Sequence, residues 1–450
     1  MRLSESSLTR LAAQVERPGY DRAQQRVGIV HFGIGAFHRA HQAWYTDRAM
    51  EAGDRDWAIT GVSLRSPTVA EQLNPQDGLY TVSERSAGAD KIRLVGAVRD
   101  VLIAPRQREQ VIAAIAAPGT RIVSFTVTEK GYCRQANGDL DPDLADADSF
   151  YAYLVPALRR RLDAGLPGLT LLSCDNLAEN GRQLERLVRQ YVDRNDPALL
   201  PWIEAECTFP STMVDRIVPA TTAADLAALA DRIGLEDAGA VMTEPFSQWV
   251  IEDRFAGPRP RWEAVGAELV GDVAPYETAK LRMLNGAHSL LAYCGLARGH
   301  EFVHQAIADP ELHALTEQLM LAEAAPTIAA AEGQDLALYA RNLIARFANP
   351  ALNHRLIQIA MDGSQKLPQR WLETLAVHQI QERQCPAILA GLGAWIKHLR
   401  GANGPVDDPR AAELITAVAS ADPGEALFGK RGLLALQWHP TGAERAIILA

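Results

Sequence analysis

Arg26-Val27-Gly28-Ile29-Val30-His31-Phe32-Gly33-Ile34-Gly35-Ala36 is the stretch on which the fold turns. A β-branched apolar run closed by glycines suits a strand buried on both faces, the condition of a parallel sheet. Gly33-x-Gly35 directly after such a strand has the form of a dinucleotide turn. The first glycine permits the tight turn; the second lets a pyrophosphate approach backbone N–H groups at a helix start. The third position of that fingerprint is Gly or often Ala, and here it is His38, so the generic match is defective. His38, Arg39 and His41 also put potential cations at a helix start, where the macrodipole disfavours them unless an anion is present. A bound pyrophosphate accounts for that arrangement. A flexible strand-to-helix turn without a ligand accounts for the glycines alone.

Outward from this turn, similar apolar runs recur at Trp57 to Ser63, Ile122 to Thr128 and Leu169 to Ser173. Helical stretches lie between them, at Arg108 to Ala116 and Ser149 to Leu162. This alternation predicts an α/β sheet. Leu79 to Glu84 and Lys91 to Val98, joined by residues 85–90, read as a hairpin inserted into that sheet. The second strand ends Gly61-Val62-Ser63-Leu64-Arg65. No acid stands there to hold a ribose 2′-OH, and Arg65 could accommodate a 2′-phosphate or be an ordinary loop cation. NAD and NADP are both left open. Beyond residue 275 the texture changes: Glu277 to Cys294, Leu312 to Ala324, Leu336 to Phe347 and Trp371 to Gln384 are helical patterns rich in good helix formers. The boundary falls near Pro275, giving an α/β part over 1–275 and an α-helical part over 276–450.

Composition narrows the function classes. With Lys plus Arg at 45 and Asp plus Glu at 55, the net charge is 45 − 55 = −10, the wrong sign for coating phosphates. Nucleic acid is therefore not an expected partner. The five cysteines are scattered without a C-x-x-C pair, which argues against a disulfide framework and a structural zinc site. No secretory h-region opens the chain, and no apolar run approaches the roughly 20 residues of a membrane helix. The expectation is a cytoplasmic protein with no membrane partner.

A second constellation is Tyr276-Glu277-Thr278-Ala279-Lys280-Leu281-Arg282-Met283-Leu284-Asn285-Gly286-Ala287-His288. At about 100° per residue, His288 lies roughly 80° round from Lys280 and Asn285 roughly 140°. A lysine, an amide and a histidine on one arc suit proton abstraction from an alcohol, with an oxyanion hole for the alkoxide. Desolvation would lower the lysine pKa, as a general base requires. Spacing alone fits equally a surface cation and a packed core histidine. Tyr276-x-x-x-Lys280 also resembles the tyrosine-lysine pair of short-chain dehydrogenases, but that pair belongs much closer to the glycine turn. A zinc alcohol dehydrogenase lacks its Cys/His cluster here.

Several runs together resemble the long-chain polyol dehydrogenases, the mannitol dehydrogenase family. They are Gly33-Ile34-Gly35-Ala36-Phe37-His38-Arg39-Ala40-His41, Thr126-Val127-Thr128-Glu129-Lys130-Gly131-Tyr132, Ser173-Cys174-Asp175-Asn176, Met213-Val214-Asp215-Arg216-Ile217 and Gln248-Trp249-Val250-Ile251-Glu252-Asp253. The lysine helix is similar to the family's Lys-x-x-x-x-Asn-x-x-His signature. The resemblance implies a Rossmann-type N-terminal domain, a mainly α-helical C-terminal domain for substrate and catalysis, and no metal. It implies NAD(P)-dependent interconversion of a secondary alcohol and a ketone, and a monomer or weak oligomer. Carried over by position, Lys280 is the general acid/base, Asn176 and Asn285 are oxyanion amides, and His288 orients the substrate. Gly33, Gly35, Ala36, Phe37, His38, Arg39, Arg65, Thr128, Glu129, Lys130 and Asp215 fall to the cofactor. Glu277 falls near the substrate, with a part in proton exchange.

The run from Asn349 to Arg370, which includes Met361-Asp362-Gly363-Ser364-Gln365-Lys366, looks like that of the fructuronate reductases, or D-mannonate oxidoreductases. That implies D-mannonate and D-fructuronate as substrates, with mannitol 2-dehydrogenase or another polyol dehydrogenase as the alternative. A non-catalytic nucleotide-binding sensor is a third reading, disfavoured by the Lys280, Asn285, His288 and Asn176 set. A uronate carboxylate needs a cation, with Arg the better bidentate partner. His354, Arg355, Lys366 and Arg370 are the candidates.

Overall fold

The apolar run from Val27 does form a strand, and every residue of it after Val27 is buried. The computed structural model describes the whole chain except residues 87, 89, 136, 146, 147, 352, 436 and 437. Ala87 and Ala89 of the hairpin loop and Leu352 of the C-terminal run thus lie outside the described residues. The chain divides into two units, Met1–Val273 and Ala274–Ala450.

In chain order the strands of the first unit are β1 (Val27–Phe32), β2 (Ala58–Ser63), β3 (Tyr80–Glu84), β4 (Lys91–Val95), β5 (Val98–Ile103), β6 (Ile122–Phe125), β7 (Thr170–Ser173), β8 (Thr212–Asp215), β9 (Val241–Thr243), β10 (Gln248–Glu252) and β11 (Glu268–Val270). The main sheet has the order β5-β2-β1-β6-β7, and every neighbouring pair is parallel. Its central strands are apolar on both faces because helices cover both, which is why the sequence shows continuous rather than alternating apolar runs. The order reverses between β1 and β6, whose ends lie side by side at Phe32 and Phe125. Ligands of open α/β sheets bind outside the carboxyl ends of the strands at such a switch point. Amphipathic helices complete the packing. In Asn180–Asn195, for example, Leu184, Leu187, Val188 and Val192 are all buried, at helical spacing.

The hairpin expected within this sheet lies elsewhere. Tyr80 to Glu84 pairs antiparallel with Lys91 to Val95, but β3 then pairs with β9, and the three form a separate sheet. The run from Lys91 to Val98 is broken at Gly96-Ala97, where the chain passes from one sheet to the other. Gly96 N donates to Asp47 Oδ1 and Ala97 O accepts from Ile59 N, so neither residue can continue the hairpin ladder. Asp47, fully buried, also takes bonds from Tyr20 and Arg93, which fixes the crossing. The remaining strands form the sheet β11-β10-β8.

The second unit is helical in its described residues. Its central helix, Gly286–Ala297, is buried at every residue from Gly286 to Cys294 and packs along Pro386–Leu399. A helix apolar all round must be enclosed. Leu336–Phe347 forms as the sequence pattern predicts. Of the other three helical runs, two contain a π-helical stretch, at Lys280–Asn285 and Leu319–Ala324, and the run from Trp371 begins inside a third, Pro368–Leu372. All five cysteines are buried and none is in a disulfide among the described residues, and no described helix is long and apolar enough to cross a membrane.

Candidate active site

The Gly33 turn stands at the end of β1. Gly33 has φ of 91°, and a Cβ there would overlap the Thr126 carbonyl at the end of the neighbouring strand β6. Only glycine combines that left-handed conformation with so close an approach. Thr126 Oγ1 donates to Gly33 O at 2.7 Å, closing the turn. Gly35 caps the helix Ala36–Ala40, and a Cβ on it would meet only the Gly33 carbonyl, at 3.8 Å. Its missing side chain therefore leaves space above the helix start, where a pyrophosphate fits. The two glycines act differently, which can be tested. Gly33→Ala is expected to cost about 2 kcal/mol or more of stability, read as a fall in Tm. Gly35→Ala should leave Tm nearly unchanged and weaken NADH binding about tenfold, read by fluorescence titration. Equal Tm losses for both would contradict the cradle.

The expectation that His38, Arg39 and His41 crowd this turn as cations is corrected. His38 is fully buried and stacks on His31 with ring centroids 3.4 Å apart, and burial pushes the pKa of both well down, His31 to about 3. His41 donates from Nε2 to the Gln248 carbonyl at 2.9 Å. Arg39 is buried over the Tyr80 ring, 5.9 Å from its centroid. The helix docks these side chains inward, where desolvation disfavours charge. What this segment offers an anion is backbone, together with Ala36 and Phe37.

Other candidates gather at the same carboxyl edge of the sheet. Arg65 is exposed beyond β2. Thr128, Glu129 and Lys130 are exposed on the short helix after β6. Thr128 has φ of 64°, a conformation costly for a β-branched residue. Asp175 holds it there: its carboxylate accepts from Val127 N and Thr128 N, both at 2.9 Å, and from Tyr132 Oη at 3.0 Å. Burial pushes the Asp175 pKa up, while those three donors pull it back. Asn176 follows it, exposed beyond β7. Sequence reasoning assigned Asp175 nothing, because its role depends on a contact 48 residues away along the chain. Asp215 ends β8, in the smaller sheet, opposite the same Gln248 whose carbonyl holds His41.

In the second unit, the helix that carries Lys280 is α-helical over Ala274–Ala279, π-helical over Lys280–Asn285, and α-helical again over Gly286–Ala297. A π turn, bonded i→i+5, brings residue i+5 nearly above residue i. Lys280 and Asn285 are five apart. The uniform α spacing that separates them by roughly 140° is therefore corrected, and the two share one face. Lys280, Glu277 and Asn285 are half-buried. His288 is buried, 4.7 Å from the Phe347 ring and 5.3 Å from that of His354. Burial first, then the ionisable neighbours His354, Arg346 and Arg370, push its pKa well below the ordinary value, so the imidazole is neutral. Its Nε2 has no partner among the described residues.

The four cations proposed for a carboxylate fare unequally. Arg355 is exposed and paired with Glu301 at 2.6 Å. Lys366 Nζ donates to the Met361 carbonyl at 2.6 Å and lies 3.6 Å from Asp362. Each of these two cations therefore has a local partner that a carboxylate would have to displace. His354 is half-buried, and burial together with Arg346 lowers its pKa, so it offers no charge near neutrality. Arg370 Nη1 donates to Asn285 O at 3.2 Å and to Ser289 Oγ at 2.8 Å. Ser289 is one α turn beyond Asn285, a spacing that could have flagged it. Among the described residues no group of His, Cys, Asp and Glu could hold a metal ion.

A parallel sheet with an accessible glycine turn at its switch point, and a separate helical unit carrying a lysine, an amide and a neutral imidazole, define the dinucleotide-dependent oxidoreductases as a class. Comparison with known proteins is specific. Residues 27–264 match the mannitol dehydrogenase Rossmann domain and residues 272–425 the mannitol dehydrogenase C-terminal domain. The chain belongs to the mannitol dehydrogenase family. It is 43% identical to the D-mannonate oxidoreductase of Escherichia coli (strain K12) over 94% of this chain and 91% of that one. It is 39% identical to the polyol:NADP oxidoreductase of Gluconobacter oxydans (strain 621H), over 89% and 85%. Among solved structures, the Pseudomonas fluorescens mannitol 2-dehydrogenase ternary complex with NAD and D-mannitol matches with a TM-score of 0.84 and 36% identity, covering 100% of this chain and 96% of that chain.

Proposed function

We propose that this enzyme interconverts D-mannonate and D-fructuronate with NAD(P). The observation that carries the chemistry is the π turn that puts Lys280 and Asn285 on one face, with His288 next on the same helix. The likeness to the Escherichia coli D-mannonate oxidoreductase over nearly the whole chain supports the substrate. Backbone groups of the Gly33 turn and the space left by Gly35 would hold NAD(P)H, which when bound would supply the hydride. In reduction, the carboxamides of Asn285 and Asn176 donate hydrogen bonds to the ketone oxygen as it gains charge, and the Lys280 ammonium gives it a proton. In oxidation the neutral Lys280 amine takes the hydroxyl proton. Glu277, three residues before Lys280, passes that proton to and from solvent. His288 orients a substrate hydroxyl through its neutral imidazole. Arg65 is the residue on which NAD or NADP preference turns, a property in which the relatives differ.

The second reading is a mannitol or other polyol dehydrogenase, favoured by the match to the complex with D-mannitol. A substrate panel separates the two. With NADH or NADPH, kcat/KM for D-fructuronate is expected to exceed that for tagaturonate, D-fructose and xylulose by about tenfold or more, the scale on which one charged contact discriminates. A preference for D-fructose would select the polyol reading. Cofactor binding without turnover of any ketose would select a sensor.

A further inference from the structure

We propose that Arg370 holds the carboxylate of the substrate, and so is the residue by which this site tells sugar acids from polyols. The inference rests on the oxidoreductase reading above and names the group that fixes its substrate class. Its first support is elimination: of the four cations that the Asn349 to Arg370 run supplies, Arg355 is committed to Glu301, Lys366 is held by Met361 and Asp362, and His354 is neutral. Its second support is the environment of the guanidinium itself. Arg370 is half-buried, and among the described residues no carboxylate lies within 4 Å of it. Burial pushes its pKa down to about 10, which still leaves it charged at neutral pH. A desolvated cation without a counter-charge is costly unless something anionic offsets it.

Its bonds show which edge is available. Nη1 is spent on two uncharged acceptors, Asn285 O and Ser289 Oγ. Nη2 and Nε make no hydrogen bond among the described residues, and these two form the edge that grips a carboxylate in bidentate fashion. The guanidinium is also fixed in place. It projects from the π-helical stretch Pro368–Leu372, and its neighbour Trp371 donates from Nε1 to Gly286 O at 3.2 Å. Two adjacent side chains thus grip two adjacent carbonyls, Asn285 and Gly286, where the lysine helix returns from π to α. That ties the cation to the segment carrying Asn285 and His288, and its charge is felt at His288. An uncharged polyol would bring this cation only another hydroxyl, whereas a sugar acid completes the pair.

The test compares ligands that differ only at the terminal carbon, carboxylate against hydroxymethyl. Binding of D-mannonate and of D-mannitol to the full-length protein with NADH is measured by calorimetry, for wild type, Arg370→Gln and Arg370→Lys. Arg370→Gln is expected to weaken D-mannonate about 30-fold, the scale of a charge-assisted pair, to change D-mannitol less than about threefold, and to leave the Kd for NADH unaltered. Arg370→Lys should recover part of the loss, since it restores charge without the fork. Equal losses for both ligands would make Arg370 a structural strut and overturn the inference, as would unchanged D-mannonate binding in Arg370→Gln. A protein that binds D-mannonate through Arg370 without oxidising it would sink the proposed activity and leave the anchor standing. One that oxidises it equally well with glutamine at 370 would do the reverse.

Discussion

Replacing Lys280 with alanine is expected to lower kcat by at least about 10²-fold in both directions, the usual scale for loss of a general acid/base. The Kd for NADH should stay within about twofold, because the glycine turn proposed to hold the cofactor's phosphates lies in the first unit and is built without Lys280. Stability should change little, since Lys280 is half-buried and alanine is the better helix former. Lys280→Arg serves as the sharper control. It keeps the positive charge, but a guanidinium does not release its proton near neutrality. If Lys280 acts by donating and accepting a proton, the arginine variant should be as slow as the alanine one. If it acts only by charge, arginine should restore most of the rate. Stopped-flow measurement of NADH oxidation with saturating ketose distinguishes the two, and near-normal turnover in the alanine variant would remove Lys280 from the reaction.

The parts of this fold that were legible in sequence are those governed by local rules. β1 was readable because a strand covered on both faces must be apolar throughout, and Gly33 because a left-handed turn pressed against a carbonyl admits no side chain. Leu336–Phe347 followed from its own periodicity. What escaped depended on partners distant in sequence. The run from Lys91 to Val98 has one uniform strand character, and only the Gly96 contact with Asp47 shows why it is split between two sheets. His38, Arg39 and His41 read as cations facing an anion because composition does not say which way a helix docks; their burial removes the argument while leaving the backbone cradle intact.

The site divides in the same way. Residue types and order on the lysine helix were visible, but their angular relation was not, because the π register has no propensity signature of its own. Three such stretches occur in the second unit, that beginning at Lys280 packing against both of those beginning at Leu319 and Pro368, and two of them carry proposed site residues. Each wide turn leaves its helix under-bonded relative to a plain α segment, so its persistence needs support from neighbours. The Arg370 and Trp371 bonds to Asn285 and Gly286 are such support. The cost of the irregular register is then offset by the packing of another, and the proposed chemistry sits where they meet.

Asn285→Ala should therefore damage the chemical step more than substrate binding. Removing one preorganised donor to a developing oxyanion typically lowers kcat by about 10²–10³-fold. KM for D-fructuronate should move less than about threefold, because the neutral ketone oxygen gains little from the amide until hydride arrives. The main-chain carbonyl of Asn285 survives the substitution, so the Arg370 bond to it, and with it the proposed carboxylate anchor, is retained. That makes the two residues separable: Asn285→Ala is a kcat defect on charged and uncharged ketoses alike, and Arg370→Gln a binding defect confined to acids. The π turn sharpens the expectation further. An α register would hold Asn285 about 140° from Lys280, at the far edge of their shared arc, and the π register draws the two closer together. A kcat within about threefold of wild type would therefore show that the shared face of Lys280 and Asn285 has no part in the reaction. A loss of two orders of magnitude, with Tm unchanged, is the outcome the geometry requires.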